Sequence, residues 1–352
     1  MPKNLCVSVE RAAAESVRRS LLRLKLFDNA RKIKTVAGTV LIPISHRPKP
    51  DELTTLRDIG RVKIISADLR SASAHPKDLV DVLDGKLPPH LLAQLPRSYD
   101  IVGDIAVLEF LSPDLKAHKK EIGKALMDLH PNVRTVLLKT GKVKGEFRVP
   151  QLAVLAGRKR FDTIHTEYGM KFKVDLSKVY FSPRLGSEHH RVASLVSDGE
   201  TVLDMFAGVG PFSLMIAKYS KAKVCAVDLN PDAIRLLSEN IGLNKLRGGV
   251  IPICDDARRV SGQLSGKADR IIMNLPASSL NFLNVASECL KSEGGIIHIY
   301  IFVTDEPLVK AESAFREAAE RVFSHFEIRG MHIVKPVAPK EWQVALDVWA
   351  LK

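Results

Sequence analysis

"DMFAGVGPFS", residues 204–213, places Gly208 and Gly210 where an apolar run gives way to a helical one. Glycines at a strand-to-helix turn let a ligand lie against bare backbone amides. Many α/β proteins use the same turn only for packing, so the spacing needs support from elsewhere. Asp228 ends the next apolar run, 20 residues beyond Gly208, where a carboxylate accepts hydrogen bonds from a ribose diol. Asp256, in "CDDARRV", follows the third run and could take the amino protons of an adenine. Position 213 is Ser rather than the third glycine of G-x-G-x-x-G, and nothing else obviously serves a pyrophosphate. A nucleoside without phosphate fits better than a dinucleotide, and S-adenosylmethionine is the common one. Asp204, closing the first run, would then face a cationic cofactor.

A fourth stretch, "RIIMNLPASS" (270–279), stops a buried run on an amide and a proline. In a doubly wound sheet the fourth strand ends at the carboxyl edge, beside the ligand. Asn274 and Pro276 there offer an amide next to a rigid backbone, suited to gripping the edge of a planar, amine-bearing ring. The alternative is a simple strand-ending turn.

These residues need a frame of alternating strands and helices, and the chain supplies one from about residue 173. "TVLDMF", "AKVCAVDL", "GGVIPIC", "DRIIMN" and "GGIIHIYIF" read as strands. "PFSLMIAKYS", "PDAIRLLSENIGLN", "SSLNFLNVASECL" and "EPLVKAESAFREAAERVF" read as helices. The closing "FEIRGMHIVKPVAPKEWQVALDVWAL" holds two strands with no helix between them. The pattern predicts an α/β fold for 173–352: a Rossmann-like doubly wound sheet with an antiparallel last strand.

Two smaller α/β units precede it. Residues 1–67 show a helix over Arg11–Leu26 and two β-rich runs, "TVAGTVLIPIS" and "RVKIISADL", divided by the Pro-rich "HRPKPDE". Residues 68–78, small, polar and Pro-containing, read as a linker. In 79–172, "YDIVGDIAVLEF" alternates like a strand and "DLKAHKKEIGKALMDLH" has helical spacing. "VRTVLLKTGKVKGEFRV" reads as a hairpin with a basic tip, and "TIHTEYGMKFKVDLSKVYFS" adds more strand.

Charge separates these parts. The 352 residues carry a net +13; residues 1–170 hold 30 Lys and Arg against 19 Asp and Glu, a net of +11, whereas 171–352 carry only +2. A near-neutral half beside a basic half suggests chemistry in one and a polyanion held by the other. A lysine-rich surface serving solubility alone is the competing reading. No segment has the roughly 18 uninterrupted apolar residues of a membrane span, and the charged N-terminus is no signal peptide. The four cysteines lie far apart, with Cys225 and Cys254 inside apolar runs. Buried, reduced thiols in a cytoplasmic protein are expected, and no metal site.

"VDLSKVYFSPRLGSEHHRV", "DMFAGVGPFS", "VDLNPDAI", "DRIIMNLP" and "PKEWQVALDV" together resemble the archaeal and eukaryotic tRNA guanine-N1 methyltransferases, which act on the guanosine at position 37, 3′ to the anticodon. "KGEFR" and "SYDIVGD" match that family's middle domain, and 1–67 its N-terminal domain. The "YFSPRL…E" run joined to "NLP" is the specific part, since all class I methyltransferases share the cofactor motifs. The resemblance implies S-adenosylmethionine as cofactor, tRNA as partner through anticodon loop and body, and the two smaller units as RNA-binding domains. It implies Glu188 as the general base removing the N1 proton, a role a partly desolvated carboxylate can fill, with a rate that rises with pH through its ionisation. Arg148, in "KGEFR", matches the residue that stabilises charge on guanine O6. Asn274 and Pro276 hold the base edge, and Tyr180 lies on the segment lining the pocket. Phe206, Leu229 and Ala257 join Gly208, Gly210, Asp228, Asp256 and Asn274 in the cofactor-contact set. His189, standing where the family carries Arg near the cofactor, is placed there too. A monomer is the default. An aminocarboxypropyl transferase of wybutosine synthesis, on the same scaffold, and an RNA-binding module without activity are the competing readings.

Overall fold

The run "NLCVSVE" forms β1 (Asn4–Glu10), an inner strand just before the expected helix. The computed structural model describes residues 4–36, 38–69, 76–109, 111–141 and 149–352. After a 3-10 turn, α1 (Ala14–Arg23) leads to β2 (Lys34–Val36), β3 (Thr39–Pro43), α2 (Pro50–Ile59) and β4 (Lys63–Ala67), in a sheet ordered β2-β3-β1-β4. Val17 and Leu21 of α1 and Leu56 of α2 are buried with Val7, Val9, Val40 and Ile42 of the sheet. The "HRPKPDE" divider proves to start a helix. Pro50 opens α2, where a missing N–H costs nothing, and the Glu52 carboxylate accepts from the Lys49 amide at 2.7 Å. Residues 1–77 form one unit and 78–352 another.

The second unit begins with α3 (Leu79–Leu83), α4 (Pro89–Leu92), β5 (Asp100–Val102), β6 (Ile105–Leu108), α5 (Lys119–Leu129), β7 (Thr135–Lys139) and β8 (Leu152–Gly157), its strands ordered β5-β6-β7-β8. The expected single strand over "YDIVGDIAVLEF" is a β5–β6 hairpin, because Gly103, at φ +56°, turns the chain. β9 (Asp162–Glu167) and β10 (Met170–Asp175) form a second hairpin across Tyr168 and Gly169, both at positive φ, as a two-residue turn with right-handed twist requires. Phe172 and Val174 of β10 are buried with Val202, Phe212 and Leu237 further along. Asn240 seals the join, accepting from the Lys173 amide at 2.7 Å and donating to the Lys173 carbonyl at 3.1 Å. Residue 173, the expected domain boundary, therefore lies inside a strand.

After α6 (Gly186–Ser194) the chain alternates: β11 (Thr201–Asp204), α7 (Pro211–Tyr219), β12 (Lys223–Asp228), α8 (Pro231–Leu243), β13 (Gly249–Cys254), α9 (Ala257–Leu264), β14 (Arg270–Met273), α10 (Leu283–Cys289), β15 (Gly295–Thr304) and α11 (Pro307–Ala319). β16 (His325–Ala338) and β17 (Glu341–Leu351) close it. The seven strands are ordered β13-β12-β11-β14-β15-β17-β16, with β17 antiparallel to both its neighbours. The doubly wound sheet with its antiparallel end is as the strand–helix rhythm predicts.

Strand side chains alternate between faces, so a sheet covered on both sides reads as an unbroken apolar run. Val202, Val224, Ala226 and Ile272 pack with α6, α7 and α8; Leu203, Cys225, Val227, Ile271 and Met273 pack with α9, α10 and α11. Cys254 departs from expectation: β13 is an edge strand, and its last residue is exposed. No helix among the described residues is long and apolar enough to cross a membrane.

Candidate active site

β11 passes into α7 through the glycine turn, and the turn's amides are not bare. Gly208 N–H donates to Asp228 Oδ2 at 2.7 Å, and Gly210 N–H donates to the Ala207 carbonyl at 2.9 Å. The glycines are needed for conformation and space instead. Both have positive φ, +55° and +89°. A Cβ on Gly210 would stand 2.3 Å from Leu237 Cδ1, whereas one on Gly208 meets nothing within 4 Å. The Gly208 side of the turn is thus open to a ligand, and Gly210 lets α7 approach α8.

Asp228 also accepts from the Asn230 amide, at 2.9 Å on Oδ1, so each oxygen keeps one lone pair for ribose hydroxyls. Burial raises its pKa, and the two amides oppose that shift. Leu229, beside it, is an exposed apolar side chain, fit for the face of an adenine. Behind the turn Asp204 is wholly buried. Its Oδ2 accepts from Ser213 Oγ at 2.7 Å, which is what Ser in place of a third glycine provides, while Oδ1 has no partner. Burial pushes this carboxyl up to about 7. A buried carboxylate oxygen left unpaired is costly unless a cationic group completes it, so the residues fit the charged nucleoside expected from sequence.

Asp256 has a second duty. It caps α9, Oδ1 accepting from the Arg258 amide at 2.8 Å, while Oδ2 lies 3.2 Å from the Arg258 guanidinium. Ala257, the first residue of α9, is buried, and Phe206 packs edge-on against Phe282, centroids 4.9 Å apart.

The Asn-Leu-Pro loop after β14 is held from two sides. Asn274 Oδ1 accepts from Gln343 Nε2 at 3.1 Å, and the Pro276 carbonyl accepts from the Phe302 amide at 3.3 Å. Ser279 Oγ, fully buried, donates to the Met273 carbonyl at 2.8 Å and accepts from the Leu275 amide at 3.2 Å. The loop is rigid before any ligand arrives.

Glu188 sits in the first turn of α6 and is 4% exposed. Its Oε1 accepts from Tyr300 Oη at 2.7 Å and from Arg191 Nη2 at 2.8 Å. Its Oε2 meets Arg191 Nε and His332 Nε2, each at 2.9 Å. Burial alone would raise this carboxyl; the hydrogen bonds from His332, Arg191 and Tyr300 outweigh it and bring the pKa down to about 2. A rise of rate with pH through Glu188's ionisation is therefore overturned for this state, since the group is already ionised throughout the neutral range.

The network continues inward. Arg191 also grips Asp347 with two bonds of 2.6 and 3.0 Å, and Asp347 Oδ1 lies 2.5 Å from His298 Nδ1. Arg270, bound to Glu200, donates to His298 Nε2 at 2.8 Å, which leaves His298 neutral with its proton on Nδ1. Burial lowers the His298 pKa further. Burial would raise the Asp347 carboxyl, but His298 and Arg191 hold it well below the ordinary carboxylate range.

These partners were missed in the sequence, though a signal existed. His298 pairs with Asp347, Tyr300 with Ala345 and Phe302 with Gln343 across β15 and β17. Polar residues two apart in strands otherwise apolar mark one face as functional. β16 adds to that face: His332 lies opposite Ala345, and a bulge after Ile333 leaves Val334 without an opposite number, so Lys335 lies opposite Gln343. Lys335 Nζ donates to Ser182 Oγ at 3.1 Å and stands 3.5 Å from Tyr180 Oη.

Tyr180 is half exposed and borders an apolar cleft with Val102, Val107, Leu152 and Leu176. His189 is deeply buried. Its ring is 1% exposed, Nδ1 is 2.9 Å from Glu167 Oε2, and it meets Phe212 edge-on with centroids 4.6 Å apart, so it braces β9 against α7, while Nε2 is buried without a partner. Arg148 lies outside the described residues. No cluster of His, Cys, Asp and Glu among the described residues could hold a metal ion.

Known proteins match along the chain. The family model of the tRNA methyltransferase 5 N-terminal domain matches residues 6–52, that of the TYW2 N-terminal domain 79–160, and that of the TRM5/TYW2 methyltransferase domain 163–328. The tRNA (guanine(37)-N(1))-methyltransferase Trm5b of Pyrococcus abyssi is 39% identical over 344 residues, covering 97% of this chain and 98% of that protein. The solved complex of aTrm5 and tRNALeu has a TM-score of 0.73 at 34% identity, covering 99% of this chain and 100% of that one. The structure of M. jannaschii TYW2 in complex with AdoMet has a TM-score of 0.55 at 30% identity, covering 72% and 100%.

Proposed function

The chain belongs to the TRM5/TYW2 methyltransferase family, and we infer that it transfers the methyl group of S-adenosylmethionine to N1 of guanosine 37 in tRNA. The observation that carries the reading is agreement over 97% of the chain with a relative of that activity. S-adenosylmethionine, when bound, supplies an electrophilic methyl group on a sulfonium. Gly208, Asp228, Leu229, Asp256, Ala257 and Phe206 would hold its nucleoside, and Asp204 favours its positive charge.

The protein's own residues prepare the nucleophile. Guanine N1 carries a proton and must lose it to attack. Glu188 is the acceptor in this reading, supported by its ionised state and by its bond to Tyr300 of β15, the strand whose Phe302 amide steadies the Pro276 loop. Asn274 and Pro276 would hold the base edge, with the Asn274 side chain oriented by Gln343, the Pro276 carbonyl held by the Phe302 amide and the flanking backbone held by Ser279. The half-exposed ring of Tyr180 offers a face for a base drawn out of the anticodon loop, an extrusion cheaper from a loop than from a duplex. Residues 1–67 and 79–172, joined by 68–78, would bind tRNA, and 173–352 would carry the transfer. The reading takes the enzyme as a cytoplasmic monomer with no metal requirement. Mass-spectrometric mapping on transcribed tRNA tests it: 1-methylguanosine at position 37 is expected, and a methyl group elsewhere, or an aminocarboxypropyl mass, would overturn it.

A further inference from the structure

A proton delivered to Glu188 needs a way out, because that side chain is 4% exposed. Its neighbours narrow the choice. Arg191, from the same helix, is a guanidinium and cannot accept a proton. Tyr300, from β15, already donates its proton to Oε1, and burial drives its pKa well above 10. His298 and Asp347 lie behind Arg191 and touch each other, not Glu188. Lys335, on the same face of β16, is turned to Ser182 and Tyr180. His332 is left: its Nε2 is 2.9 Å from Glu188 Oε2, and its side chain is 36% exposed.

Resting on Glu188 as the base, we propose that His332 is the outlet through which the guanine N1 proton leaves for solvent. In the ground state its Nε2–H donates to the ionised carboxylate, which accepts only. During the reaction the N1–H bond breaks, and its electron pair stays on N1 for the new bond to the methyl carbon. The proton goes to Glu188, which thereby becomes a donor. The neutral ring exchanges through water to its other tautomer, one proton leaving Nε2 as one is gained at Nδ1; the bare Nε2 then takes the proton from Glu188, and the Nδ1 proton passes to water. Both groups return to their starting forms. Imidazole is the side chain with a basic nitrogen suited to this exchange near neutral pH. His332 also explains how a carboxyl held near 2 acts as a base: among Glu188's hydrogen-bond donors it is the partly exposed one that can also accept a proton, and its reversal removes one of the bonds that depress the carboxyl.

The test is single-turnover methylation by the full chain with saturating S-adenosylmethionine and transcribed tRNA, alongside calorimetric cofactor affinity. His332→Gln keeps an N–H donor in reach of Glu188 but cannot pass a proton. It is expected to bind cofactor normally and to slow at least about tenfold, less than the roughly 100-fold or more that loss of the base itself costs. His332→Ala should slow likewise and regain rate as imidazole is added, the recovery following the imidazole free-base fraction as pH rises. A Gln variant at the parent rate, or a slow Ala variant that imidazole does not restore, would overturn the outlet. Glu188→Gln separates the two ideas: if it too keeps the parent rate, the base assignment fails; if it alone is slow, only the outlet fails.

Discussion

Glu188 is ionised, buried and four times hydrogen-bonded, and each of those facts constrains what a substitution does. Gln at this position keeps the size and one acceptor oxygen but loses basicity. Single-turnover methylation should fall about 10²–10⁴-fold, the range for a general base, with tRNA and cofactor affinities little changed. The pH dependence of stability has a definite sign. The folded-state pKa, about 2, lies below the ordinary carboxylate value of 4.5, so Glu188 stabilises the fold above that ordinary value and the contribution fades as pH falls toward 2. Glu188→Gln should therefore unfold with a shallower acid dependence than the parent between those limits, as read by thermal denaturation at each pH. The sequence pointed to Glu188 only through its setting in "YFSPRLGSEHH"; on composition alone a Glu between Ser and His reads as a solvated loop residue. Its partners were harder still, because Tyr300 and His332 are 112 and 144 residues away and meet it only through strand register.

At the scale of elements, the turn between β11 and α7 separates two kinds of glycine. Gly210→Ala places a Cβ 2.3 Å from Leu237 and strains a φ of +89°. Overpacking of that kind typically costs about 1–3 kcal/mol, and the melting temperature should drop while any folded protein binds S-adenosylmethionine normally. Gly208→Ala meets nothing in the protein, so its structural cost is only the left-handed backbone, about 1 kcal/mol, but the new methyl projects into the open side of the turn. Calorimetry should show weakened cofactor binding for Gly208→Ala beyond its effect on stability; equal affinity in both variants would place the nucleoside elsewhere. The parallel strands were legible because both faces are buried and their sequences are apolar throughout. α2 was not, since a proline-rich stretch reads as a break until Pro50 is seen at a helix start. His189 was placed by resemblance alone, and its bond to Glu167, buried on β9, could not be read from the sequence.

Across the whole molecule, charge and division coincide. Residues 1–77 hold +9 of the net +13, and they form a unit with its own core. Phosphate contacts dominate nucleic-acid affinity and make it salt-dependent. The fragment 78–352 should keep the cofactor affinity of the full chain but bind tRNA more weakly, with a shallower dependence of log affinity on log salt. Equal tRNA affinity in filter binding would remove the N-terminal unit from recognition. A cut at residue 173 makes a poor comparison, because it severs β10 and exposes Phe172 and Val174, the residues through which that hairpin joins the sheet's core. Charge asymmetry was plain in the sequence; the hairpin's allegiance was not, since alternation marks a strand without saying which sheet or core receives it.

The irregularity of β16 bears on how the molecule survives in a crowded cell. Among the described residues no strand lies beyond β16, so fourteen residues of backbone form an open margin to the large sheet. A straight margin of that length would invite another chain to add itself. Three breaks in register, at Ile328/Gly330, Ile333/Lys335 and Pro336/Ala338, together with Arg329 and Lys335, spoil the template. The opposite margin, β13, is short and carries Pro252. The same bulge that aligns Lys335 with His332 thus also guards against aggregation, and a variant with a straightened β16 would trade solubility for regularity.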